Sequence, residues 1–203
     1  MTNISSTELL VDFYNNLNCN QKKAFDDYKN AESIYEGNAF AYHVNHLLLN
    51  QETPPAEYDS HIASLDSISK VESLTEDTTL YRACFDNTVN GHLDNSSQLN
   101  IYRAFMSTST TNTNLRLHFV RCLIADSCVP CYIEIKCKKG AYIIPLEKSA
   151  QDTEKEVLLP RNSQFKLISK SIITCKSEIE NLAGFNGRKF TEIIKLELEY
   201  ISK

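Results

Sequence analysis

The chain has 203 residues, a net charge of −5, and 42% hydrophobic and 23% charged residues. This composition is that of a folded globular protein, so it excludes an intrinsically disordered chain. The negative net charge does not favour a protein that binds nucleic acid through a broad basic surface. Since no apolar run approaches the roughly 18–20 residues that span a membrane, we expect no membrane partner.

The beginning of the chain and its cysteines indicate where the protein is made. The segment from Met1 to Leu10 lacks the basic and apolar regions of a secretory signal. The seven cysteines are an odd number, which suits reduced thiols in a reducing compartment. We therefore expect the protein in the cytoplasm. We also expect a monomer. A protein that is secreted or injected into a host cell without a cleavable signal peptide has the same features.

Apolar residues recur at helical spacing as far as Val71, and this spacing predicts four helices. Ser5 and Ser6 are the predicted cap of the first helix, Gly37 ends the second, and Asn38 caps the third. The predicted apolar faces are, in order, Leu10, Phe13 and Leu17; Phe25, Tyr28 and Tyr35; Phe40, Val44, Leu47 and Leu48; and Tyr58, Ile62, Leu65 and Ile68.

After Leu74 the apolar period changes towards two, which predicts strands. The predicted strands are Leu80–Cys84, Cys131–Cys137, Ala141–Pro145, Glu156–Leu159, Gln164–Ser169 and Ile194–Tyr200, with one helix over about Asn114–Ala125. Helices followed by a run of short strands are typical of an α+β domain. We therefore predict a single domain over residues 1–203, with an N-terminal helical lobe over 1–71 and a mixed β core over 72–203.

Three short motifs carry candidate chemistry. Arg82 lies in an apolar strand. Its guanidinium either extends to water or pairs with a phosphate. Taken alone, this motif favours the arginine that extends to water. The run Phe105–Thr110 ends in hydroxyls, which alone are usually turns or caps. Glu154 and Glu156 point to the same side of an extended backbone, just before the apolar run Val157–Leu159. They are either a solvated charge pair or two carboxylates at the mouth of a buried strand.

The order of these motifs, Arg, then Ser-Thr-Ser, then Glu-x-Glu, resembles the Arg-Ser-Glu class of mono-ADP-ribosyltransferases, which includes bacterial toxins, effectors and phage enzymes. The resemblance covers roughly Leu80 to Leu167 and includes the Leu-Leu-Pro-x-Asn-Ser-x-Phe segment after Glu156. It implies an α+β fold with a core of two packed β-sheets around an NAD cleft. It also implies NAD as the substrate and no metal. One departure is Ala83, where the family usually has glycine after the arginine.

The resemblance also implies a role for each motif residue. Arg82 would bind the NAD phosphates, and Ser107 would hydrogen-bond the catalytic glutamate. Glu156 would accept a hydrogen bond from the 2′-hydroxyl of the nicotinamide ribose, and Glu154 would orient and deprotonate the acceptor. The remaining cofactor-binding residues would be Tyr81, Thr108, Ser109 and Phe119.

The acceptor is implied by the same motif. A glutamate at position 154 points, by resemblance, to arginine on a host protein. The segment Pro145–Thr153 would be the loop that presents this acceptor. Three alternatives stay open. The chain could be an NAD glycohydrolase, it could modify a non-arginine or nucleic-acid acceptor, or it could be a degenerate relative that binds a partner without turnover.

The cysteines suggest a second hypothesis, a thiol-based redox site or a zinc site. Cys128 and Cys131 form a CxxC pair, but the pair precedes a strand, whereas a thioredoxin-like site needs the start of a helix. His118 and Cys122 add two further ligands for an imagined zinc site, although the spacing matches no strong zinc pattern. Buried thiols that act as small apolar residues are the favoured interpretation.

Overall fold

A computed structural model of the chain describes residues 12–30, 34–35, 38–113, 115–121, 128–148 and 155–201. The chain divides into two compact units. Unit 1 comprises Met1–Ser73, Arg103–Met106 and Tyr142–Asn162, and unit 2 comprises Leu74–Tyr102, Ser107–Ala141 and Ser163–Lys203. Helices dominate the first part of the chain and mixed strands the rest, which confirms the predicted α+β class.

The helices of unit 1 follow the predicted pattern with two corrections. Residues 12–16 are helical, and the longer helices are α1 (Cys19–Lys29), α2 (Phe40–Leu49) and α3 (Asp59–Ile68), the last preceded by a 3-10 turn, Ala56–Tyr58. Tyr35 was wrongly predicted in a helix. The chain leaves α1 in an extended conformation at Asn30, and Tyr35 lies in β1 (Ile34–Tyr35), which pairs with β2 (Asn38–Ala39). The cap of α2 is Ala39 rather than Asn38. Leu10, Gly37, Ser5 and Ser6 lie outside the described residues.

The helices of unit 1 pack their aromatic residues against strands of the same unit. Phe25, Phe40 and Phe105 are fully buried, in one cluster with the strand residues Ile144 and Leu158. Burying a side chain of this size contributes about 1.5–3 kcal/mol. The cluster therefore holds the helices of unit 1 against its strands, including the strand that begins at Glu156.

Three short strands of unit 1 are hydrogen-bonded in the order β3 (Glu72–Ser73), β8 (Tyr142–Pro145) and β9 (Glu156–Leu159). Both neighbouring pairs are antiparallel, with Ile144 opposite Leu158. The bounds of β9 match the prediction, because the run Val157–Leu159 is buried on both faces.

Unit 2 contains most of the sheet. Its strands are β4 (Thr78–Phe85), β5 (Asn100–Tyr102), most of β6 (Met106–Ser109), β7 (Pro130–Cys137), β10 (Ser163–Ile173) and β11 (Ile193–Ile201), in the order β6-β4-β7-β11-β10-β5. The pair β7–β11 is parallel, whereas β4–β7 and β10–β11 are antiparallel, so the sheet is mixed. The predicted strands at 80–84, 131–137, 164–169 and 194–200 are confirmed.

Two helices cover part of the unit 2 sheet. They are α4 (Leu115–Arg121), within the predicted helix, and α5 (Lys176–Ala183). Their buried residues Phe119 and Ile179 form one apolar cluster with Tyr132 of β7 and Ile193 of β11. Among the described residues, no helix has the length and the apolar character needed to cross a membrane.

A capping box begins α1, which later contributes a side chain to the candidate site. The Asn18 side chain accepts hydrogen bonds from the Asn20 and Gln21 backbone amides, both at 3.0 Å, and the Gln21 side chain accepts from the Asn18 amide. We expect Asn18→Ala to lower the free energy of unfolding by about 1 kcal/mol. Thermal unfolding should then shift downwards by roughly 2–4 °C. The control Asn20→Ala, in the same turn, should change the midpoint much less. Equal midpoints for Asn18→Ala and the wild type would contradict this role.

Candidate active site

Arg82 lies in the middle of β4, a strand held along its length by β7. Its backbone is opposite Ile133, and its guanidinium Nη1 donates a 2.6 Å hydrogen bond to the carbonyl oxygen of Ser107. The side chain is half-buried. A short bond from a charged donor is among the stronger hydrogen bonds in proteins. The structure therefore brings the first two predicted motifs together within unit 2.

The hydroxyl run of the second motif forms β6, which is antiparallel to β4, with Ser109 opposite Tyr81. Thr108 and Ser109 are buried, at 3% and 5% exposure, whereas Ser107 is half-buried. The Ser109 hydroxyl accepts a 3.2 Å hydrogen bond from the Thr111 amide. Because buried hydroxyls in a strand are held by their partners, this motif is a rigid element rather than a solvated turn.

Two aromatic site candidates differ in accessibility. Tyr81 is half-buried and stacks on Tyr132, with ring centroids 6.3 Å apart. Phe119 is fully buried and packs on Phe190 at 6.1 Å. Tyr81 packs against the cluster that contains Phe119. Phe119 is as buried as Thr108 and Ser109 of the second motif, and its place beside the nicotinamide stays a prediction.

Glu156 is the first residue of β9 in unit 1. Its carbonyl oxygen accepts a 3.0 Å hydrogen bond from the Leu146 amide. The preceding residue, Lys155, has a φ of 51°, a left-handed conformation that costs a side-chain-bearing residue energy and is frequent at functional sites. The pairing of β9 with β8 therefore fixes the backbone that carries this carboxylate.

The carboxylate of Glu156 pairs with a lysine that the sequence did not single out. Lys29 Nζ, at the end of α1, lies 3.3 Å from Glu156 Oε2, and the two side chains are 14% and 18% exposed. The two residues are 127 positions apart, and a lysine in the last turn of a helix is ordinary. Nothing in the sequence indicated this contact.

Ion pairs also flank the predicted acceptor segment. Lys148 Nζ lies 2.6 Å from Asp26 Oδ1 of α1, and Lys155 Nζ lies 3.8 Å from Glu147 Oε2, whose side chain is fully buried. The residues 149–154, which include Glu154 and most of the segment Pro145–Thr153, lie outside the described residues. These two contacts hold Lys148 and Lys155 within unit 1.

The described cysteines include both members of the CxxC pair. Cys128 and Cys131 are thiols rather than a disulfide, and Cys122 lies outside the described residues. Across the part of the chain that the structure describes, no group of three possible metal ligands is found. Cys84 lies opposite Cys131, and a hydrogen bond with that thiol, together with the charge of Arg82, lowers the pKa of Cys84 to about 6. The hydrogen bond with Cys131 is the larger of these two causes.

The described site candidates include one cation and one anion. Unit 2 presents a guanidinium beside a hydroxyl-bearing strand, and unit 1 presents a shielded carboxylate with a fixed backbone. A guanidinium suits phosphate, and a preorganised carboxylate suits a sugar carbon that develops positive charge.

Solved structures share the fold of this chain. Plx2a, an ADP-ribosyltransferase toxin from Paenibacillus larvae, matches with a TM-score of 0.66 and 17% identity over 94% of this chain and 90% of that one. The Clostridium limosum C3 exoenzyme matches with a TM-score of 0.62 and 17% identity over 96% and 91%. The toxin BECa of C. perfringens, solved with NADH, matches with a TM-score of 0.64 and 13% identity over 94% of this chain and 45% of that one. At these identities the likeness shows the fold alone.

The family is shown by the sequence itself. Curated protein sequences gave no significant match. The profile of the family described as ADP-ribosyltransferase exoenzyme, in contrast, matches residues 7–183, which is most of the chain. Enzymes of this kind cleave NAD and transfer its ADP-ribose, so the predicted enzyme class and the predicted substrate NAD are confirmed. The chain belongs to the ADP-ribosyltransferase exoenzyme family.

Proposed function

We propose that this enzyme transfers ADP-ribose from NAD to an arginine of a host protein and releases nicotinamide. In this proposal Arg82 binds the NAD phosphates and Ser107 orients Glu156, whose carboxylate accepts a hydrogen bond from the 2′-hydroxyl of the nicotinamide ribose. Tyr81, Thr108 and Ser109 shape the surroundings of the nicotinamide. Residues 1–203 act together as one enzyme domain, and the enzyme works as a monomer.

The observation that carries the proposal is the 2.6 Å bond from Arg82 Nη1 to the Ser107 carbonyl. It joins two of the three predicted motifs through direct contact. The third motif supplies Glu156, a carboxylate with 18% exposure on a fixed strand end. These are the groups that the reaction needs, one cation for the diphosphate and one anion for the ribose.

The chemical step follows from charge. When the bond from ribose to nicotinamide breaks, the ribose develops oxocarbenium character. A fixed carboxylate beside the 2′-hydroxyl stabilises that positive charge without reorganising, and it does so more strongly where water is largely excluded. Nicotinamide leaves as a neutral molecule, so its departure requires no strong acid.

A protein acceptor is supported by two observations. The similar structures are described as toxins or exoenzymes. The net charge of −5 also disfavours extended contact with a nucleic-acid backbone. Incubation with NAD labelled in its adenylate part and a cell lysate tests this directly. We expect label on protein, and mass spectrometry should locate it on arginine. Label in nucleic acid, or free ADP-ribose alone, would refute the proposed acceptor, and the absence of any NAD cleavage would favour a binding module.

Glu154 is the residue that should separate transfer from hydrolysis. A guanidinium is a poor nucleophile until it is oriented and relieved of a proton, and Glu154 is proposed to do this. Glu154→Gln should therefore lose transfer to arginine by about 10²-fold or more while NAD hydrolysis persists. Release of nicotinamide and label on protein, measured in the same reaction, give the two rates. Equal loss of both rates would show that Glu154 does not prepare the acceptor.

A further inference from the structure

The contact between Lys29 and Glu156 is not an ordinary surface ion pair. Exposed pairs contribute little because water screens them and because ordering two long side chains costs entropy. Lys23, earlier on the same helix, is of that kind, with 62% of its side chain exposed in its pair with Asp27. Lys29 and Glu156 are instead 14% and 18% exposed, so water screens the attraction between them much less.

Lys29 itself is held in place from two directions. It is the last residue of α1, where the carbonyl ends of the helix favour a positive charge. Its helix is anchored in the buried cluster of unit 1 through Ala24, Phe25 and Tyr28. The helix end from which the Lys29 side chain extends is thus fixed within unit 1.

Two other lysines of unit 1, Lys148 and Lys155, contact other carboxylates. Lys148 contacts Asp26 at 2.6 Å, and Lys155, the neighbour of Glu156, lies 3.8 Å from Glu147. The contact of Lys29 is with Oε2 of Glu156. It therefore restrains the rotation of the carboxylate about its last bond, which the strand pairing of the backbone does not do.

We propose that Lys29 is a positioning residue, which holds the carboxylate of Glu156 in the orientation required to act on the ribose of NAD. This inference rests on the proposed role of Glu156. Lys29 acts through Glu156 and not on NAD itself, so its removal slows the chemical step and leaves the binding of NAD largely intact. A loss of this kind appears in kcat rather than in KM.

The test measures nicotinamide release as a function of NAD concentration for the full-length chain. Lys29→Met should lower kcat by roughly 10²-fold, since misplacing a reacting group by about 1 Å costs that much, with little change in KM. Lys29→Arg keeps a cation at the end of α1 and should recover most of kcat. Lys22→Met is the matched control: it removes a lysine of the same helix whose Nζ donates to the Asn15 carbonyl, and it should behave as the wild type.

Several results would overturn the proposal. A raised KM with unchanged kcat would mean that Lys29 binds NAD. Unchanged kcat and KM in Lys29→Met, or an Arg variant that is as slow as the Met variant, would each remove the positioning role. If Lys29→Met fails to fold, Lys29→Ala with added ethylammonium takes its place, because a small cation restores a missing charge but does not repair lost packing. The absence of rescue would then count against the proposal.

A double variant distinguishes this inference from the proposed function. If Lys29 acts only through Glu156, then Lys29→Met combined with Glu156→Gln should be no slower than Glu156→Gln alone. If the losses in kcat of the two single variants add in the double variant, Lys29 does not act through Glu156, and Glu156 stays the catalytic residue. Wild-type activity in Glu156→Gln itself would instead overturn the proposed function.

Discussion

Glu156→Gln should reduce NAD cleavage by about 10²–10³-fold, with or without an acceptor protein. The substitution keeps the size of the side chain and removes its charge, so the positive charge that develops on the ribose loses its fixed counter-charge. Transfer and hydrolysis share this step, so both should fall together. Nicotinamide release at saturating NAD measures the loss directly.

The matched control for Glu156→Gln is Glu197→Gln, which also removes a carboxylate paired with a lysine. Glu197 lies in β11 and its Oε1 is 3.4 Å from Lys195 Nζ, with 28% of the side chain exposed. Glu197→Gln should keep wild-type activity, while thermal unfolding of both variants reports on folding. If a folded Glu156→Gln enzyme cleaved NAD at the wild-type rate, Glu156 could not be the catalytic residue.

Arg82→Gln should lower both the binding of NAD and the rate of its cleavage. The variant loses the 2.6 Å charge-assisted bond to the Ser107 carbonyl and the proposed cation for the NAD phosphates. A hydrogen bond to a charged group contributes about 1.5–3 kcal/mol, which corresponds to roughly a 10- to 100-fold loss in kcat/KM. Arg82→Lys should recover part of this, because it keeps the charge but not the planar fork.

A thiol provides an independent readout for the same variant. The charge of Arg82 is one of the causes that lower the pKa of Cys84 to about 6. In Arg82→Gln this pKa should rise, so the thiolate fraction near neutral pH should fall. Ultraviolet thiolate absorbance, with the absorbance of the Cys84→Ser variant subtracted, measures the change.

The activity control for Arg82→Gln is Arg188→Gln, which removes the arginine that lies 4.9 Å from the Phe185 ring. Wild-type kcat/KM in a folded Arg82→Gln enzyme would contradict the assigned role.

The elements with strong periodicity could be predicted from the sequence. The strand Cys131–Cys137 alternates over seven positions and occurs as β7 with one further residue at its start. The helix with Ile62, Leu65 and Ile68 occurs as α3, since all three residues face the buried cluster. Patterns of this length report which face is buried, and burial determines the element.

Short or partly exposed elements could not be predicted in the same way. The strand β5 has three residues, too few to show a period. Helix α5 buries only Ile179 and Ala183 over its eight residues, so its apolar signal is weak. The strand β10 runs to Ile173, beyond the predicted end at Ser169, because its exposed residues are held by backbone pairing with β11.

The same distinction applies to the candidate site. Arg82, Ser107 and Glu156 were predicted because motif order resembles a known family, and order is preserved along the chain. Lys29 was missed because its contact with Glu156 joins residues 127 positions apart through the packing of α1. Periodicity and short motifs carry no information on such long-range pairs.

The central claim is that Arg82, Ser107 and Glu156 serve one NAD molecule. A crystal structure of the Glu156→Gln variant with NAD tests this most directly, since slow turnover keeps the substrate intact. The account predicts that the 2′-hydroxyl of the nicotinamide ribose lies within hydrogen-bonding distance of the side chain at position 156, with the guanidinium of Arg82 at the diphosphate. NAD bound away from these residues would contradict it.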